Sequence, residues 1–186
     1  MTDVDLVARK LARRFQVWDY DGNGLVERVD FVRRGRRLAV GLGYSIGSPE
    51  HQVIHETLVQ QWDALAAAAD ADGDDKITES EYVTAFTSLI IDHPEAFDEL
   101  YAPLIRLTMH LADAGGDGKL DRAEWLNWST GYLGQSADDA AASFDLLDID
   151  SDGHVSTEEA LNGVREFYLG TDPKADTNLL LGPLDQ

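Results

Sequence analysis

The twelve-residue stretch 148–159 constrains this chain more than any other feature of its sequence. Its acidic side chains occupy positions 1, 3, 5 and 12, with glycine at position 6 and a β-branched residue at position 8. The oxygen donors on offer are the carboxylates of Asp148, Asp150, Asp152 and Glu159, the backbone carbonyl of His154 and a water held by Ser156. Ca²⁺ is a hard cation that takes about six to eight such oxygens in a flexible shell. The stretch therefore predicts a calcium-binding loop.

Three more stretches repeat the pattern, which argues against an accidental acidic turn. The loop at 19–30 offers Asp19, Asp21, Asn23, the Leu25 carbonyl, Glu27 and Asp30. The loop at 70–81 offers Asp70, Asp72, Asp74, the Lys76 carbonyl, Thr78 and Glu81. The loop at 113–124 offers Asp113, Asp117, the Lys119 carbonyl, Asp121 and Glu124. Loops of this composition are those of EF-hands, in which a helix enters and a helix leaves each loop.

Three of the loops depart from the ideal pattern. Asp75 replaces glycine at position 6 of the second loop, where left-handed geometry costs aspartate about 1 kcal/mol, so we expect a strained but competent site. Asp30 closes the first loop with a shorter arm than glutamate, which favours Mg²⁺ relative to Ca²⁺. Gly115 leaves the third loop without a carboxylate at position 3. An occupied third site, with water as substitute ligand, and a silent structural loop both remain open.

The sequence around the loops predicts the fold class. Apolar residues at helical spacing flank the loops, as in Leu11, Phe15 and Trp18 before the first. Position 8 is apolar in every loop, as expected where paired EF-hand loops join through a short antiparallel β-bridge. These position-8 residues are Val26, Ile77, Leu120 and Val155. We predict an all-α fold of four helix–loop–helix units in two pairs, with short β-bridges between paired loops.

The spacing of the loops bears on how the pairs are arranged. We expect an N-terminal pair over 1–95 and a C-terminal pair over 96–186, with the apolar tail 178–184 docked on the core. The connector between the first two loops is the longest of the three. This uneven spacing favours two pairs packed into one compact globule over two lobes on an exposed central helix.

Composition narrows the functions open to the chain. The net charge is −20, and more than half of the 35 Asp and Glu residues lie in the four loops. Metal binding should relieve their mutual repulsion and stabilise the fold, whereas nucleic acid is an unfavourable partner. Nine of the 15 basic residues lie between Arg9 and Arg37. Such a cluster could dock an acidic partner or a membrane, but we interpret it as a solvated face that also offsets the acidic loops.

Compartment and partners follow from what the sequence lacks. It has no cysteine, which excludes disulfides and thiolate metal sites. No apolar run approaches about 18 residues and no secretory signal is evident, so we expect a cytoplasmic monomer without membrane insertion.

One histidine pair resembles a catalytic motif. His51 and His55 stand four residues apart on a predicted helix, as in zinc proteases. Such a helix needs a glutamate after the first histidine as general base, and Gln52 cannot abstract a proton. We therefore predict surface histidines and no enzymatic activity.

The chain resembles the sarcoplasmic calcium-binding protein family, in particular its bacterial members, the calerythrins. The resemblance lies in the four loops at this spacing, the closing Asp30, the long first connector and the apolar tail. The resemblance implies a compact helical fold and calcium buffering or signalling in the cytosol. Family members of the calerythrin type typically have a damaged second loop and a good third one. Here the second loop carries a full ligand set and the third is weakened.

Three functions remain open. The favoured one is a calcium buffer or carrier, because a sensor groove is commonly rich in methionine and this chain has only Met1 and Met109. The alternative is a sensor that exposes an apolar surface to a target protein. A third possibility is a binder of a small luciferin-type ligand, since coelenterazine-binding proteins and calcium-triggered photoproteins look similar in fold and tail.

Overall fold

The computed structural model describes residues 3–184; residues 1–2 of the predicted first pair and 185–186 of the predicted second pair lie outside this range. The helices are α1 (Asp3–Trp18), α2 (Arg28–Gly41), α3 (Pro49–Ala69), α4 (Glu79–Phe86), α5 (Ala96–Leu100), α6 (Ala102–Ala112), α7 (Arg122–Trp128), α8 (Ala137–Leu147) and α9 (Thr157–Leu169). The strands are β1 (Leu25–Glu27), β2 (Lys76–Thr78), β3 (Lys119–Asp121) and β4 (His154–Ser156). π-Helical turns extend α4 over Thr87–Ile91 and α7 over Ser129–Leu133, and a 3₁₀ turn spans Asp176–Leu179.

The predicted β-bridges are confirmed in position and register. Strands β1 and β2 pair antiparallel with Val26 opposite Ile77, and β3 and β4 pair with Leu120 opposite Val155. All four side chains are buried, because each bridge faces the core between the helices of its pair. The all-α class with four paired helix–loop–helix units is therefore the observed architecture.

Local capping fixes where several helices begin. The Ser48 hydroxyl accepts a hydrogen bond from the His51 backbone amide at 3.2 Å, and Pro49 occupies the first helical position of α3. Helices α4 and α9 begin with reciprocal capping boxes built on Thr78 and Ser156. These caps hold each exit helix against the end of its loop.

The two pairs pack into one body, as the spacing of the loops predicted. Phe86 of the second hand stacks on Tyr168 of the fourth, with ring centroids 5.0 Å apart. Gly131 lies so close to α2 that a Cβ there would come within 2.9 Å of the Leu38 Cα. The contact of α2 with the turn after α7 thus depends on the absence of a side chain at position 131.

Some of the basic residues between Arg9 and Arg37 are buried, which corrects the interpretation of this cluster as a solvated face. Lys10, Arg14 and Arg34 are buried, while Arg36 and Arg37 are exposed. The guanidinium of Arg14 lies 4.3 Å from the centroid of Trp18, and Arg34 donates to the Tyr132 carbonyl at 3.0 Å. Burial lowers the pKa of Arg34 to about 9, and the nearby Arg14 acts in the same direction.

The C-terminal segment lies on this core. Leu180 and Leu181 are buried, whereas Leu179 is exposed. Arg13 Nε donates to the Leu181 carbonyl at 2.8 Å, and Gln135 Nε2 donates to the Leu180 carbonyl at 2.5 Å. Within residues 3–184, no helix has the length and apolarity that crossing a bilayer requires.

Candidate metal centres

All four loops share one backbone conformation. Position 6 is left-handed at Gly24 (φ 83°), Asp75 (62°), Gly118 (84°) and Gly153 (84°). Position 4 is left-handed at Gly22 (φ 70°), Gly73 (76°), Gly116 (72°) and Ser151 (57°). Asp75 therefore adopts the predicted left-handed backbone geometry although it is not glycine. This geometry costs energy at Asp75, and likewise at Ser151. The left-handed position 4 was not predicted, although glycine stands there in three loops.

The aspartate at position 1 organises each loop from inside. In the fourth loop, Asp148 accepts hydrogen bonds from the backbone amides of Asp152 and Gly153 at 3.0 and 3.1 Å. In the third, Asp113 accepts from Gly116 at 2.6 Å and from Gly118 at 2.8 Å. These hydrogen bonds wrap the backbone of each loop around the carboxylate at position 1.

Carboxylates converge in the second and fourth loops. Asp70, Asp72 and Asp74 each offer an oxygen, and these atoms lie within 4.8 Å of one another. One carboxylate oxygen from each of Asp148, Asp150 and Asp152 likewise lies within 4.8 Å of the other two. Three like charges at this distance repel, and a dication between them reverses the sign of the interaction.

The closing glutamates span their loops. Glu159 accepts from the Ile149 amide at 3.1 Å with one oxygen and from the Ser156 amide at 2.8 Å with the other. Glu81 does the same with the amides of Ala71 and Thr78, at 3.2 and 2.9 Å. The hydrogen bonds from Thr78 lower the pKa of the Glu81 carboxyl. These hydrogen bonds hold each carboxylate in the position that a metal would need, so capping competes with coordination.

The first loop is closed by a buried carboxylate. Asp30 Oδ2 accepts from the Glu27 amide at 2.8 Å, while the buried Oδ1 has no hydrogen-bond partner. Burial raises the pKa of the Asp30 carboxyl, opposed by the Glu27 hydrogen bond and reinforced by the carboxylates of Asp21 and Asp19. Asp21 also forms an ion pair with Arg33 at 2.7 Å, so a cation in this loop competes with a guanidinium.

The third loop keeps its frame but has fewer charges. Glu124 Oε1 accepts from the amides of Ala114 and Gly115 at 2.9 and 3.0 Å. Across residues 3–184, no trio of converging carboxylates is found in the first or the third loop. In the first loop Asn23 stands at position 5, and in the third Gly115 stands at position 3.

Lysines at position 7 connect the loops within each pair. Lys119 of the third loop forms an ion pair with Asp152 of the fourth, and Lys76 Nζ of the second lies 4.0 Å from Glu27 Oε1 of the first. Both lysines place a positive charge beside a ligand position of the neighbouring loop. The sequence pattern predicts only a backbone-carbonyl ligand from each of these lysines, not this contact of its side chain.

The histidine pair on α3 shows no metal-site geometry. The rings of His51 and His55 stack with centroids 6.3 Å apart, and His51 Nδ1 accepts from the Gly47 amide at 3.2 Å. Within the described part of the chain, neither histidine belongs to a group of three candidate ligands.

Paired loops with carboxylate centres, bridged at position 8 and flanked by helices, define an EF-hand protein. The sequence model of the EF hand matches residues 140–159, which span the fourth loop. Calerythrin from Saccharopolyspora erythraea is 32% identical over 176 residues, covering 94% of this chain and 97% of that protein. The chain therefore belongs to the calerythrin family.

Two further similarities agree with this assignment. Sarcoplasmic calcium-binding proteins I, III and IV from Branchiostoma lanceolatum are 27% identical over 172 residues, with 88% of this chain and 89% of the relative covered. The structure of a Streptomyces coelicolor calcium-binding protein, described as a basis for prokaryotic calcium-mediated regulation, has a TM-score of 0.73 and 31% identity. It covers 87% of this chain and 97% of that one.

Proposed function

We propose that this chain is an intracellular calcium buffer or carrier, monomeric and without enzymatic activity. The observation that carries the proposal is the convergence of the Asp148, Asp150 and Asp152 oxygens within 4.8 Å, in a loop that Glu159 closes. Membership of the calerythrin family supports calcium as the ion.

The four loops differ in the binding that we propose for them. The fourth and second loops are the calcium sites with the fullest carboxylate sets. The ligands of the fourth are Asp148, Asp150, Asp152, His154, Ser156 and Glu159. The ligands of the second are Asp70, Asp72, Asp74, Lys76, Thr78 and Glu81. The first binds Ca²⁺ or Mg²⁺ through Asp19, Asp21, Asn23, Leu25, Glu27 and Asp30. The third, with Asp113, Asp117, Lys119, Asp121 and Glu124, is the weakest because position 3 has no side chain.

A buffer needs little rearrangement on binding, and the interior supports such a role. Arg34, only 2% exposed, ties α2 to the Tyr132 carbonyl, so the two pairs are held together by a buried contact. Met109 is also buried and therefore contributes nothing to an exposed groove. A sensor would have to break these contacts to present a surface to a target protein.

The interior also bears on the luciferin-type alternative. The cavity enclosed by Arg14, Tyr101, Tyr132 and Tyr168 has a volume of about 20 Å³. That space suits about one water molecule. An aromatic luciferin needs far more room than this cavity offers, so the luciferin-type alternative depends on the larger, half-open pocket of about 530 Å³ that Trp18, Tyr82 and Phe86 line.

An apolar dye distinguishes buffer from sensor. We expect dye fluorescence with the metal-stripped protein to stay constant or fall as Ca²⁺ is added, because binding tightens a closed fold. The variant Glu159→Gln should lose one calcium site, while the matched variant Glu158→Gln, altered beside it but outside the ligand set, should keep it. A rise in dye signal on calcium binding would contradict the buffer and favour the sensor.

A further inference from the structure

The outward face of α2 is positively charged and partly apolar. Arg33 and Arg36 are exposed, and Val29 and Val40 on the same helix are 41% and 57% exposed. In chain order these four residues follow at intervals of four, three and four, so they lie along one side of the helix. The one acidic residue of α2, Asp30, is buried. An exposed helix face that combines cations with apolar side chains is thus present on a strongly acidic chain.

Three exposed arginines of this helix have no partner inside the described part of the chain. Within residues 3–184, none of Arg28, Arg36 and Arg37 forms an ion pair or a side-chain hydrogen bond. By contrast, the exposed Arg106 pairs with Glu158 at 3.1 Å. Acidic residues outnumber basic ones by 35 to 15, so carboxylates are abundant on this chain. The charges of the three arginines therefore remain available to a partner.

Arg33 is held by the first metal loop. Its Nη1 donates to Asp21 Oδ2 at 2.7 Å, and Asp21 is the ligand expected at position 3 of that loop. A cation bound there offsets the charge of Asp21 and weakens its hold on Arg33. Arg33 then adds its charge to those of Arg36 and Arg37, one turn further along the helix. This dependence on a bound cation rests on the function proposed above, whereas Arg36 and Arg37 are available without metal.

We propose that the α2 face docks an acidic segment of a partner protein, and docks it more tightly when the first loop holds a cation. The face consists of Val29, Arg33, Arg36, Arg37 and Val40. A guanidinium binds a carboxylate through two parallel hydrogen bonds, which suits clustered Asp and Glu side chains. From Val29 to Val40 the helix rises about 16 Å, which is the length of about five extended residues.

A narrow peptide fits this surface better than an anionic bilayer does. The first metal loop directly precedes α2, and its carboxylates of Asp19, Asp21 and Glu27 are at least partly exposed. A flat anionic surface laid on α2 would face these carboxylates, and the net charge of −20 would repel it. A peptide of a few residues follows the arginines alone, and salt largely screens charges that lie more than about 10 Å from it.

The test is the fluorescence anisotropy of fluorescein-labelled hexaglutamate, titrated with the calcium-saturated protein. We expect saturable binding to the unaltered chain. The double variant Arg36→Gln with Arg37→Gln should weaken binding about fivefold or more, the value of two exposed ion pairs. The matched double variant Arg106→Gln with Lys174→Gln removes the same charge from exposed positions elsewhere and should bind as the unaltered chain does. Absence of saturable binding, or equal affinities of the two double variants, would overturn the proposal.

The link to the first loop is tested in the metal-free protein. Asp21→Asn releases Arg33 without any metal and should tighten hexaglutamate binding about two- to fivefold. Asp72→Asn, at the same position of the second loop, removes the same charge and should change binding less. Because no metal is added, this comparison does not depend on whether the first loop binds calcium. Equal effects of the two variants would show that Asp21 does not control Arg33.

Two further measurements complete the test. Arg33→Gln should weaken hexaglutamate binding to the calcium-saturated chain about two- to fivefold, and no weakening there would exclude Arg33 from the face. The calcium-saturated chain should stay in solution with vesicles of phosphatidylcholine and phosphatidylserine. Sedimentation with these vesicles, lost in Arg36→Gln with Arg37→Gln and without hexaglutamate binding, would assign the face to a membrane and overturn the proposal. Helical circular dichroism establishes that each variant is folded.

Discussion

The weakened third loop can be repaired by one side chain. A Cβ added at Gly115 would lie 3.7 Å from both Asp113 Oδ1 and Glu124 Oε1, which is ordinary van der Waals contact. Gly115 is not among the residues with positive φ, so its backbone accepts an L-residue. Gly115→Asp therefore places a third carboxylate beside the two that already face the loop.

The expected gain in calcium affinity at this site follows from Coulomb's law. The loop is exposed, so the dielectric constant of water applies and one pair of unit charges at about 4 Å is worth about 1 kcal/mol. A dication and the new carboxylate then gain about 2 kcal/mol, which corresponds to roughly 30-fold tighter binding. In the metal-free protein the same carboxylate repels Asp113 and Glu124, which should lower the free energy of unfolding by about 2 kcal/mol.

Calorimetry and thermal unfolding measure both effects. Gly115→Asp should add one tight calcium site, lower the unfolding temperature without metal and raise it with excess Ca²⁺. Gly115→Asn is the matched control, since it offers an oxygen of the same reach without the charge, and its gain should be smaller. If Gly115→Asp has the same number of sites and the same affinities as the unaltered chain, the missing carboxylate at position 3 is not what weakens the third loop.

Lys119→Ala removes the ammonium group paired with Asp152 and should tighten the fourth site; calorimetry showing an unchanged or weaker site would contradict the role of this pair. Asp30→Glu restores the longer closing arm and should raise the preference of the first site for Ca²⁺ over Mg²⁺. Calcium titration at two fixed Mg²⁺ concentrations measures this preference. An unchanged ratio of the two affinities would show that the short arm of Asp30 does not set it. Arg34→Ala removes a buried hydrogen bond to Tyr132 and leaves a cavity, so urea unfolding should show a loss of about 3 kcal/mol, against little change for the exposed Arg36→Ala.

The loops were predictable because their chemistry is local. Ligand positions, the left-handed turn at position 6 and the apolar position 8 all lie within twelve residues, and the capping boxes on Thr78 and Ser156 span four. The left-handed position 4 was visible too, in Gly22, Gly73 and Gly116, and only Ser151 hides it in the fourth loop.

Contacts between distant segments were not predictable from the sequence alone. A basic residue on a helix is usually exposed, so nothing local marks Arg14 and Arg34 as buried. Their burial depends on Trp18, against which both guanidinium groups lie, at 4.3 and 5.2 Å from its centroid. The pairing of Lys119 with Asp152 likewise depends on how closely β3 and β4 bring two loops together.

A calorimetric titration of the metal-stripped chain with Ca²⁺ shows whether these loops bind the ion. We expect about three tightly bound ions, at the first, second and fourth loops, with weak or undetectable binding at the third. Heat changes no larger than those of dilution, or tight binding of a single ion, would show that these loops do not form the proposed calcium sites.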